Sequence, residues 1–144
     1  MAYSKTILER FQNPRNSGGM HGANAIGNIE NAKYGDFLKM YFSVNNNGVI
    51  ENAKFKACAC CGSIACLDVA CDLVKGKNLD DALKITKEDI KKVVGDLPYN
   101  KEHCVSLTEE TIRATIQDYY ERQEKETKKA IKRASRMANN LDEE

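Results

Sequence analysis

The chain has 144 residues, 42% hydrophobic and 30% charged, which is the composition of one ordinary globular domain able to bury a core without disulfide staples. A formal net charge of +1 excludes a general attraction to nucleic acid or to an anionic membrane, so partner recognition has to be local. The N-terminal stretch carries Glu9 and no unbroken apolar run, and reads as neither a secretory signal nor a transit peptide; no later segment approaches the roughly 20 apolar residues of a membrane span. A reducing, cytoplasmic setting is expected.

Ile7, Leu8 and Phe11 recur at helical spacing behind Ser4, a natural cap, and the run Asn13-Pro14-Arg15-Asn16-Ser17-Gly18-Gly19 ends that helix. A short strand is expected over 25–30. Leu38, Met40, Phe42 and Val44 alternate with Lys39, Tyr41 and Ser43, the period of a half-buried strand. Asn45-Asn46-Asn47-Gly48 supplies a turn, and residues 49–57 return with Ala53, Phe55 and Ala57 on one face, completing a hairpin. A helix from about Ser63 to Val74, closed by Gly76, sets Asp68 and Asp72 on a polar face and Ile64, Leu67, Ala70, Cys71 and Val74 on an apolar one. Asn78 and Thr86 cap two short helices, the second ending at Gly95. The loop 97–102 then delivers His103 and Cys104 to a final helix, capped by Thr108, whose inner stripe is Ile112, Ile116 and Tyr119 or Tyr120. Beyond Glu121 charges of both signs alternate and large apolar residues nearly vanish, so 121–144 reads as a solvated helical extension of a domain spanning 1–120; the sharper alternative is a partner-docking arm.

Six cysteines mark the chemistry, and three of them, Cys58, Cys60 and Cys61, fall within four positions. Thiolate and imidazole are the ligands of iron and zinc, and a thiol-dense turn with a distant His103-Cys104 pair offers both. A disulfide between neighbouring Cys60 and Cys61 would be strained. Cys104, beside His103 at a helix start that favours thiolate, is a candidate ligand and nucleophile. Cys66 and Cys71 sit within a helix and are expected to be core residues. Asp36 could simply cap a turn, and Lys101 could guide substrate, balance thiolate charge or be solvated.

Several strings in order, Asn13-Pro14-Arg15-Asn16, Gly35-Asp36, Phe55-Lys56 followed by Cys60, Val74-Lys75-Gly76-Lys77, Leu97-Pro98 and His103-Cys104, make the chain from about Ser4 to Tyr120 resemble the U-type iron-sulfur cluster assembly scaffolds, the family of IscU and the NifU N-terminal domain. The resemblance implies an α+β domain with a three-stranded antiparallel sheet covered by helices and a metal site at one end. It implies a scaffold or carrier rather than an enzyme, which takes persulfide sulfur from a cysteine desulfurase, binds iron, and passes a labile [2Fe-2S] cluster to apo acceptor proteins. On that pattern Cys60 and Cys104 match two of the three family cysteines, Asp36 the aspartate and His103 the histidine, and Cys104 is the expected persulfide acceptor.

Tyr34 stands where the first family cysteine belongs. A phenol is a poor substitute for a thiolate, so Cys58 or Cys61 is expected to complete the ligand set. Cys58 shares the face of Cys60 if the strand persists. The string Leu97-Pro98-Tyr99-Asn100-Lys101 departs from the family's chaperone-recognition sequence, which argues against a dedicated chaperone. Zinc is an alternative occupant, and a homodimer around the cluster stays open. Two other functions also stay open: a zinc- or iron-containing persulfide transfer partner, and a metal or redox sensor without assembly activity.

Overall fold

The computed structural model describes residues 3–33 and 35–142. Three strands, β1 (Ala25–Asn31), β2 (Asp36–Val44) and β3 (Ile50–Cys58), form an antiparallel meander, with helices α1 (Lys5–Gln12), α2 (Cys61–Val74), α3 (Leu79–Leu83), α4 (Lys87–Val94) and α5 (His103–Asp142) around it. The α+β architecture expected from the resemblance, including the long C-terminal helix, is the one observed.

The alternation in β2 drives the assembly: Leu38, Met40 and Phe42 are fully buried and meet Ala53 and Phe55 of β3 beneath Leu67, Val74, Ile112 and Ile116. Helix α2 covers β3 and α5 covers β1. The second contact is unusually close. A Cβ on Gly27 of β1 would sit 2.4 Å from Thr115 Oγ1 and 2.5 Å from the Thr115 backbone nitrogen, so only glycine lets α5 lie this near the strand.

Both sheet edges are covered. On β1 the Ile26 N–H donates to Asp118 Oδ2 at 2.8 Å. On β3 the Phe55 N–H donates to the Asn16 carbonyl at 3.0 Å, and Gly18 N–H donates to the Phe55 carbonyl at 2.8 Å. The loop after α1 thus pairs an edge that would otherwise stay open.

That loop also reaches α2. Asp68 accepts from Arg10 Nη1 at 2.8 Å and from the Asn16 N–H at 2.8 Å, while Asp72 accepts from Arg10 at 2.6 Å and Asn16 Nδ2 at 3.0 Å. Asp68 is wholly buried, so the face expected to be polar is covered by α1 and its loop, at the cost of two carboxylates that Arg10 must neutralise. Burial opposes ionisation of Asp72, but Arg10 and Asn16 hold its carboxyl below the usual range.

Two boundaries differ from expectation. Helix α2 begins at Cys61, so Cys60 is its N-cap residue. Thr108 caps nothing: α5 has already begun at His103, and the buried Thr108 hydroxyl donates to the Cys104 carbonyl at 2.8 Å, four residues back. Tyr119, not Tyr120, joins the inner stripe, and the Tyr120 ring stands exposed edge-on to it.

Candidate metal centre

Three chain segments end at one place. Strand β3 delivers Cys58 at its last residue, the step into α2 carries Cys60, and α5 starts with His103 and Cys104 after a single 3₁₀ turn over Tyr99–Lys101. The ligand atoms of Cys60, His103 and Cys104 all lie within 4.8 Å of one another. The two sulfurs are 3.5 Å apart, far beyond a disulfide bond, so both are free thiols sharing a hydrogen bond. Two thiolates at about 2.3 Å from one tetrahedral metal ion stand about 3.8 Å apart, so these sulfurs are already near ligand spacing.

Asp36, first residue of β2, borders the group. Its Oδ2 is 3.8 Å from His103 Nε2 and, although buried, has no hydrogen-bond donor among the described residues. Burial pushes its carboxyl pKa up and the Cys60 charge adds to that, against the pull of His103 and Lys101. A buried acceptor without a donor is a position a cation would satisfy. Gly35, Asp36, Cys58, Ala59, Cys60, Lys101 and His103 line an open cleft of about 330 Å³ that leads to the sulfurs.

Within the thiol pair the surroundings favour ionisation of Cys60 over Cys104. The hydrogen bond from Cys104 is the main cause: it outweighs partial burial and, with help from Ser63, holds the Cys60 pKa well below the usual thiol value. Cys104 shows the converse, its pKa raised by that same hydrogen bond and by burial. The delivery of Cys104 by the loop 97–102 does not expose it: the residue is 0% exposed, packed beside Leu97 and the first turn of α2, and burial opposes the thiolate that the helix start and His103 would favour. Packing there is tight, since a Cβ on Gly62 would meet Cys104 Sγ at 3.1 Å and the Tyr3 ring at 3.2 Å.

The remaining thiols separate clearly. Cys58 is exposed and lines the cleft. Cys61, at the first position of α2, is outside that lining and lies near Tyr3, whose pKa is raised by burial and by the neighbouring Cys61. Cys66 and Cys71 are core residues, and burial pushes the Cys66 thiol up to about 12. Tyr34 lies outside the described residues. Sequence reasoning passed over Tyr3 and Ser63; the signal available for Ser63 was its place three residues after a helix cap.

The family model described as NifU-like N terminal domain matches residues 2–126, most of the chain and all of this centre. The chain belongs to the NifU N-terminal domain family. Among members, the "Iron-sulfur cluster assembly scaffold protein IscU 1" of Archaeoglobus fulgidus is 37% identical over 118 residues, which are 82% of this chain and 76% of that protein. IscU of Escherichia coli K12 is 37% identical over 127 residues, 86% of this chain and 98% of that one. A solved NifU-like N-terminal domain from Brucella abortus aligns with a TM-score of 0.65 at 20% identity, over 82% of this chain and 94% of that one, and shares the fold. A putative SUF-system scaffold from Fervidobacterium islandicum does so with a TM-score of 0.67 at 20% identity, over 79% and 96%. The family strings gain a structural meaning here: Asn13-Pro14-Arg15-Asn16 closes the β3 edge and clamps α2, while Gly35-Asp36 and His103 meet at the cleft with Cys104 buried behind it. No helix among the described residues is long and apolar enough to cross a membrane.

Proposed function

We propose that this chain is a scaffold on which an iron-sulfur cluster is assembled from iron and sulfur and then released to apo acceptor proteins. The observation that carries the reading is the convergence of Cys60, Cys104 and His103 within 4.8 Å at the end of an open cleft. Iron and sulfide are cargo here, not a resident cofactor. Cys60 and Cys104 supply soft donors, His103 an intermediate one, and Asp36 a hard carboxylate that binds the softer cluster iron weakly and so favours release. A carrier of this kind need not turn over a substrate, and the cluster proposed for it is of the [2Fe-2S] form.

Sulfur enters by exchange with a persulfide held on a cysteine desulfurase. The Cys60 thiolate attacks the terminal sulfur, the donor's S–S bond breaks, and the donor cysteine leaves as thiolate; no electrons are gained or lost. Cys104, which the family pattern makes the acceptor, is buried behind Cys60 and 3.5 Å away, placed to take the sulfur in a second exchange of the same kind.

Anaerobic reconstitution with ferrous iron and sulfide, read by absorption and Mössbauer spectra, tests the assignment. Wild type forms a cluster, and Cys60→Ser and Cys104→Ser each lose most of it. Stoichiometric iron or zinc retained in the double variant counts against the site. A wild type that takes up metal and persulfide but never forms a cluster would favour the sulfur-transfer function instead.

A further inference from the structure

The geometry points to Cys58 as a metal ligand of this centre, a third thiolate beside Cys60 and Cys104, and places Cys61 outside the coordination sphere. The inference rests on the scaffold reading of the site and adds a ligand to it.

Three observations carry it. First, among the described residues Cys60, His103 and Cys104 supply three converging donors, whereas iron and zinc held by thiolate and imidazole take four, a place open to the neighbouring Asp36 carboxylate or to a further thiol. Second, Cys58 lines the same cleft as Cys60, Asp36 and His103. It closes β3 just before the chain bends at Ala59, and its sulfur lies outside the 4.8 Å group, so ligation requires the exposed Cys58 side chain to turn inward from the cleft wall. Third, the cleft already holds a sign of a missing cation in Asp36, 7% exposed with an Oδ2 that no donor satisfies.

The alternative thiol fails on the same criteria. Cys61 does not line the cleft, and it opens α2 on the side of Tyr3. Cys66 and Cys71 face the core. Cys58 is thus the one further thiol, among the described residues, that borders the cleft and is open to solvent. Between Cys58 and the carboxylate of Asp36, soft ferrous or zinc ions held by two thiolates favour the third sulfur, which leaves Asp36 as the oxygen donor that competes for the same position.

The test uses Co²⁺, a spectroscopic stand-in for ferrous iron and zinc, titrated anaerobically into the full-length chain. The intensity of sulfur-to-cobalt charge-transfer absorption per bound ion counts thiolate ligands. Wild type and Cys61→Ser should show three. Cys58→Ser should lose roughly one third of that intensity and bind at least about tenfold more weakly, while circular dichroism stays that of the wild type because the residue is exposed. Full intensity in Cys58→Ser overturns the proposal, as does the same loss in Cys61→Ser. The two readings fail separately: three thiolates on cobalt with no cluster from iron and sulfide would sink the assembly function and leave Cys58 a ligand, and a normal cluster in Cys58→Ser would do the reverse.

Discussion

At the scale of single residues the centre is a proton shared between two sulfurs 3.5 Å apart, which on the scaffold proposal a metal ion would replace. Because the shared hydrogen bond lowers the pKa of Cys60 and raises that of Cys104, the proposed nucleophile is the sulfur that lines the cleft, and this has a pH signature. An unperturbed thiol loses reactivity roughly thirtyfold between pH 7.5 and 6, as its thiolate fraction falls. Cys60, its pKa depressed, stays ionised over that range, so its alkylation by iodoacetamide should hardly slow, and Cys104 should be labelled only later. Peptide mapping after timed quenching gives both rates. Cys104 modified ahead of Cys60 would reverse the assignment.

Asp36 is a second test at this scale. Its carboxylate is buried beside His103 and lacks a donor among the described residues, and on the scaffold proposal it is the weak, hard contact through which a cluster would be exchanged. Asp36→Ala should therefore lengthen the lifetime of the reconstituted cluster in the presence of a chelator. An equal or shorter lifetime removes Asp36 from the release step.

At the scale of elements, two contacts hold the frame that brings the ligands together. The first is Arg10 between Asp68 and Asp72, which ties α1 to α2 and, through Asn16, to the edge of β3. Arg10→Leu leaves Asp68 buried and unpaired, a loss of about 3–5 kcal/mol by urea unfolding. The pH dependence follows from Asp72. Its pKa is lower folded than unfolded, so its stabilisation is complete above the unfolded value of about 3.9 and disappears as pH falls through the folded one. That part of the acid-induced loss should vanish in Arg10→Leu. The second contact is Gly27 against Thr115. Gly27→Ala puts a methyl group inside the α5 backbone and should cost about 1–3 kcal/mol as the helix is pushed off β1. A neutral Gly27→Ala would mean that α5 is not held where His103 and Cys104 need it.

At the scale of the whole molecule, α5 serves two roles in one continuous helix. Its first half covers the sheet, whereas every described residue from 120 to 139 is exposed and the contacts there are local pairs such as Lys128 with Glu124 at 3.2 Å. Arg122 to Lys129 still run past Asn24, near the start of β1. A stop after Lys129 should therefore leave the thermal midpoint within about 2 °C of the full chain and leave reconstitution intact. A larger fall would show that the distal helix contributes to the fold.

What the sequence determined by itself was set by local rules. Alternation fixed β2, capping at Ser4, Asn78 and Thr86 placed three helix starts, and the family strings named Cys60, Cys104, His103 and Asp36. Where those rules are silent, tertiary structure decided. Periodicity could not reveal that Asp68 is buried, because its neutralising partner, Arg10, lies 58 residues away. Nor could it tell that Cys104 is buried behind Cys60, since both depend on where α5 meets α2. The same holds for Cys58 and Cys61. In the sequence they are equal neighbours of Cys60, and only the turn from β3 into α2 sends one to the cleft and the other to Tyr3, because a strand end and a helix start aim successive side chains in different directions.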